Sequence, residues 1–168
     1  MLVDLFSKKV FNLAYQFSGS YQESQDLTQD VFVKLYHALP KYEIGKNFSA
    51  WLLTLAKNHL IDEYRRTKWE KRNRDDFDDH LRTAPSETDD PETSLLRTER
   101  QKLLWEGMNR LPREIRMAVI LKEIQGKSYE ETAEITEVPV GTVKSRVNRG
   151  RLQLARILRD AKEDADEL

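Results

Sequence analysis

Apolar positions recur along this chain with the period of a helix and nowhere with that of a strand. Leu27, Val31 and Leu35 follow one another at four-residue spacing with Phe32 beside them. Trp51, Leu52, Leu55, Ala56, Ile61 and Tyr64 outline a second apolar face. Side chains three and four positions apart share one side of a helix, so each set predicts an amphipathic helix with a buried stripe. Pro40 and the Gly45-Lys46-Asn47 turn separate the two, and Asn47 or Ser49 is placed to cap the second. Further on, Leu95 to Met108 reads as one helix that stops at Leu111-Pro112. Pro112 suits the first turn of the next helix, where its missing N–H costs nothing. Ile115, Ala118, Val119 and Ile124 carry that helix to Gly126. With no alternating strand pattern and no internal repeat, the expected class is all-α.

The punctuation after Gly126 is more specific. Ser128-Tyr129-Glu130-Glu131 has capping-box spacing: the serine oxygen accepts the amide three residues on, and Glu131 reaches back to the amide of Ser128. Thr136-Glu137-Val138-Pro139 ends that helix, and Val140-Gly141-Thr142 starts another. Two short helices across a tight turn, here Tyr129 to Asn148, form a helix-turn-helix, in which the second helix enters a DNA major groove. On a wheel, Val143, Val147 and Leu154 fall to one side with Gly150 near them; Lys144, Ser145, Asn148 and Arg149 fall to the other, with Arg146 and Arg151 on the flanks. Arginine pairs bidentately with guanine and asparagine with adenine, while flanking arginines suit phosphates.

Charge sharpens this division. Formal net charge is only −1, with charged residues at 34% and hydrophobic ones at 39%. Yet Pro139 to Arg159 holds no carboxylate and six basic side chains: Lys144, Arg146, Arg149, Arg151, Arg156 and Arg159. A second basic cluster runs Arg65, Arg66, Lys68, Lys71, Arg72 and Arg74. Between them lies an acidic stretch with Pro85, Pro91 and few apolar groups, which cannot bury enough surface to offset its ordering entropy. The expected organisation is therefore two small helical domains, residues 1–74 and 94–168, joined by an acidic flexible linker over 75–93.

These motifs resemble a known family. Val140-Gly141-Thr142-Val143-Lys144-Ser145-Arg146-Val147-Asn148-Arg149-Gly150-Arg151 resembles the recognition helix of extracytoplasmic-function sigma factors, and Leu111-Pro112-Arg113-Glu114 with Gly126-Lys127-Ser128-Tyr129 resembles the rest of their region 4. The run from Asp26 to Tyr36 is similar to the region 2 helix that docks on RNA polymerase, and Phe48 to Asn58 with Asp62-Glu63-Tyr64-Arg65-Arg66 to the part that opens the downstream promoter element. The resemblance implies polymerase docking through Asp26, Leu27, Gln29, Asp30, Val31 and Phe32, and capture of the melted strand by Asn58, Asp62, Arg65 and Arg66. Upstream duplex contacts then fall to Lys144, Ser145, Arg146, Asn148, Arg149 and Arg151. The implied partners are core RNA polymerase, promoter DNA and an anti-sigma factor. The resemblance also implies that the loop from Tyr42 to Asn47 frames a base pocket, while its place on the apolar face assigns Trp51 to the core. Relatives often have a longer N-terminus, which implies a clipped or frayed first helix here.

Enzyme chemistry finds no carrier. His37, His59 and His80 are dispersed, and the chain has no phosphate-binding glycine loop, nucleophile elbow or H-E-x-x-H pattern. Glu130 and Glu131 are accounted for by capping. No catalytic residue, cofactor, metal or small-molecule substrate is expected. The absence of cysteine excludes disulfides and thiolate zinc sites and is compatible with a reducing cytoplasm. No window approaches the roughly 18 apolar residues a membrane helix needs, and the start has the wrong order for a secretory signal. The rival reading is a stand-alone helix-turn-helix regulator, which binds duplex without polymerase.

Overall fold

The computed structural model describes residues 1–73 and 91–167. Seven α-helices and no strand are present among them: α1 (Leu2–Ser18), α2 (Tyr21–Ala38), α3 (Phe48–Asn73), α4 (Pro91–Arg110), α5 (Arg113–Val119), α6 (Tyr129–Thr136) and α7 (Val140–Asp166). The linker positions 75–90 lie outside the described residues, and Pro91 to Thr93, expected as linker, open α4 instead. The first helix is a full 17 residues and not a frayed turn.

Local chemistry sets the boundaries. Gly19, at φ 71°, takes the left-handed conformation that closes α1 and donates its N–H to Tyr15. Ser20 then caps α2 by accepting the Glu23 amide at 3.2 Å. Of the two candidate caps for α3, Asn47 is the one used: its Oδ1 accepts the Ala50 amide at 3.1 Å. Pro112 stands one position earlier than expected, as the cap residue of α5. That helix ends in a π-helical turn, Ile120–Ile124, where the Gln125 amide reaches back five residues to the Ile120 carbonyl, and Gly126 at φ 68° turns the chain away.

Helices α1, α2 and α3 bury Val10, Leu13, Phe17, Val31, Leu35, Leu52, Leu53, Ala56 and Leu60 against one another. Each such aliphatic side chain contributes about 1.5–3 kcal/mol on full burial. This cluster does not stop at the end of α3. It continues through Met108, Leu111, Ile115, Met117, Ile120, Leu121 and Ile135, so the two halves share one apolar core. A smaller cluster of Ala118, Val143 and Val147, backed by Tyr129, Ala133 and Val138, holds the helix-turn-helix itself. Within the C-terminal half α5 packs on α7, and that half meets the N-terminal one where α6 lies against α3 and the π turn against α1.

Candidate nucleic-acid interface

The capping box of α6 is complete. Ser128 Oγ accepts the Glu131 amide at 3.0 Å while the Ser128 amide donates to Glu131 Oε1 at 3.2 Å. Those hydrogen bonds hold the Glu131 carboxyl below its usual range. The turn is made by Glu137, the one non-glycine residue with positive φ (58°) among those described. Pro139 then starts α7, which seats Val143 and Val147 in the small core and presents Lys144, Asn148 and Arg149 to solvent, with Ser145 half-buried. Gly150 lets α7 cross α5 closely; a Cβ there would stand 2.4 Å from Val119 Cγ2.

Two of the expected upstream contacts are engaged elsewhere. Arg151 is ion-paired with Glu123 of the π turn, which holds the arginine still more firmly protonated. Arg146 turns into a polar cleft against α3, lined also by Lys57, Asn58, Asp62, Arg65 and Glu114. Three of the four residues expected to take the melted strand, Asn58, Asp62 and Arg65, thus share one wall; Arg66 stands apart, bonded to Glu63 at 2.7 Å. That bond, against the effect of partial burial, draws the Glu63 carboxyl below its ordinary value.

Contacts that join the halves border the cleft. Lys57, its side chain 7% exposed, donates to Glu137 at 3.1 Å. Arg65 lies 3.7 Å from Glu114. Partial burial would raise the Glu114 carboxyl, but the 2.9 Å hydrogen bond from Arg113 and the positive charge of Arg146 outweigh it and lower it. Behind them Arg116, buried, donates to the carbonyls of Phe17, Asn109 and Leu111 at 3.3, 2.9 and 3.1 Å, its guanidinium 5.1 Å from the ring centres of both Phe17 and Tyr64. Sequence reasoning missed Lys57, Glu114, Arg116 and Glu137. Only Arg116, a cation inside an apolar run, carries a local signal of burial.

The expected docking residues divide. Gln29 and Phe32 line an apolar groove between α1 and α2 with Val3, Val33 and Tyr36, of which Tyr36 is 74% exposed. Asp26 is exposed, Leu27 is half-buried, and Asp30 stands 3.5 Å from the buried His59 ring. Val31 has no exposed surface, so a partner cannot touch it; it supports the helix from within. Trp51 is half-buried and packs with Tyr42 and Phe48, ring centres 5.1 and 5.8 Å away, in the core position expected for it. Trp69 and His80 fall where the structure describes no side chain. Among the described residues no helix is long and apolar enough to cross a membrane, and no group of His and carboxylates could hold a metal.

The family model Sigma-70 region 2 matches residues 2–70, and Sigma-70, region 4 matches residues 101–154. The chain is 31% identical over 172 residues to the ECF RNA polymerase sigma factor SigW of Bacillus subtilis, covering 95% of this chain and 88% of that one. It is 33% identical over 158 residues to the ECF RNA polymerase sigma-E factor of Escherichia coli, covering 90% and 81%. The sigma factor RpoE of Bartonella quintana, solved in complex with the anti-sigma factor NepR, superposes with a TM-score of 0.73 at 27% identity over 94% of each chain. A helix-turn-helix preceded by a three-helix unit, matched in that order and over most of the length of these relatives, places the chain in the family of ECF RNA polymerase sigma factors.

Proposed function

We propose that the chain binds core RNA polymerase and directs it to promoters, with a separate task for each half. The groove formed by Gln29, Phe32, Val33 and Tyr36, with Asp26 and Asp30 at its margin, docks on the polymerase. Asn58, Asp62 and Arg65 hold the melted downstream strand, and Arg66 its backbone. Lys144, Asn148 and Arg149 face the upstream duplex, with Ser145, Arg146 and Arg151 flanking. The carrying observation is the outer face of α7 from Val140 to Arg159, which holds no carboxylate and is held over a packed inner one, in the same chain as that apolar groove. Residues 1–74 and 94–168 are the working units. The polypeptide acts in the cytoplasm, catalyses nothing itself, needs no cofactor, and is restrained by an anti-sigma factor, the kind of partner present in the RpoE–NepR complex.

The test is transcription from a promoter library by core polymerase with and without the chain. New start sites sharing an upstream and a downstream element are expected. Tight duplex binding by the chain alone, with no association with core enzyme, would point to a stand-alone regulator.

A further inference from the structure

We propose that His59 is a positioning residue for polymerase docking: from α3, beneath the docking helix, it takes the Asp30 carboxylate and fixes the direction in which that group meets the polymerase. This rests on the reading of Asp30 as a docking residue and adds to it a side chain that touches no partner itself. His59 falls three places after Ala56 and seven after Leu52, in the buried stripe of α3. A leucine there would fill the space without a polar atom. The imidazole instead, its side chain 5% exposed, buries two ring nitrogens, neither of which has a hydrogen-bond partner. Such groups are costly unless something satisfies them, so a histidine at this place is explained by what its ring reaches.

Asp30 Oδ2, on α2, stands 3.5 Å from His59 Nε2, longer than a hydrogen bond. Glu63, one turn on along α3, is a second carboxylate near the ring, but it is already bonded to Arg66 at 2.7 Å and lies also under the positive charge of Lys34. Asp30 has no other ion pair among the described residues, and its side chain is 59% exposed. One of its oxygens is therefore turned toward the ring while the group stays open to a partner. In the chain alone, water competes for this carboxylate. Docking covers Asp30 and removes that water, which strengthens its attraction to the Nε2–H and draws the pair closed. The inward bond then holds the carboxylate in one orientation, so less freedom is lost when the polymerase engages it.

The experiment titrates core polymerase into the full chain carrying a dye on Asp164→Cys, a unique thiol because the chain has no cysteine. D30N and H59L are each expected to weaken core binding about three- to tenfold, the scale of one hydrogen bond covered on docking. The H59L/D30N double variant is expected to bind no more weakly than D30N, because His59 acts through Asp30. H59Q, whose amide nitrogen reaches the place of Nε2, should keep most of the affinity. H59N, whose amide stops at the place of Nδ1, should lose as much as H59L, and it serves in place of H59L if that chain does not fold. Undiminished affinity in H59L or H59N, losses that multiply in the double variant, or H59Q as weak as H59N overturns the positioning role, since a merely structural histidine would give those results. D30N that binds core as the unaltered chain does overturns the reading of Asp30 beneath it.

Discussion

Adding one methyl group at Gly150 tests the packing that carries the recognition helix. An alanine Cβ at this position would lie 2.4 Å from Val119 Cγ2 and 3.0 Å from Ile115 Cγ2. Both neighbours are β-branched and buried or nearly so, with χ1 freedom restricted on their helix, so relief requires α7 to move off α5. Overpacking of a well-filled core costs about 1–3 kcal/mol, and a contact this short falls in the upper part of that range. Alanine recovers about 1 kcal/mol of helix propensity over glycine, which leaves a net loss of about 1–2 kcal/mol. Gly141 is the matched control: it too is in α7, but nothing lies within 4 Å of its added Cβ. G141A is expected to be neutral or to gain up to about 1 kcal/mol. Urea unfolding followed by circular dichroism reads both, through the midpoint at constant slope. If G150A is as stable as G141A, the close approach of α5 and α7 is wrong, and the placement of the DNA-facing side chains falls with it.

Other predictions address the cap and the two surfaces. S128A removes the hydroxyl half of the capping box and should cost about 1 kcal/mol in the same unfolding assay. Because Glu131 is held below its ordinary pKa by Ser128, its contribution is present above the unfolded value and fades as pH falls through the folded one; a pH series should show this acid-side slope reduced in S128A. R149A should cost about 1–3 kcal/mol in upstream duplex recognition by the holoenzyme and relax base choice at one position, as read by competition binding. Full discrimination in R149A would remove that side chain from base readout. F32A and D30N should weaken association with core polymerase in a pull-down without changing the fold, since both side chains reach the surface of α2. V31A, by contrast, should act through stability, at about 1–3 kcal/mol for an emptied core position, not through docking.

The features legible in the linear order are those made by neighbours. The capping box of Ser128 and Glu131, the turn ended by Pro139, and the buried side of α7 at Val143 and Val147 each depend on residues within one or two turns of helix, so their periodicity and spacing state them outright. The helical class follows for the same reason. What tertiary structure decided is how the halves meet. Lys57 finds Glu137 across 80 positions, Arg116 finds the Phe17 carbonyl across 99, and Arg146 turns into a cleft when its place on a wheel suggested only a flank. Such contacts leave no period to read, because they join charged residues on helices whose own patterns are satisfied separately. The docking of one helix on another is set by the summed shape of their apolar faces, and the ion pairs form wherever that docking brings opposite charges together.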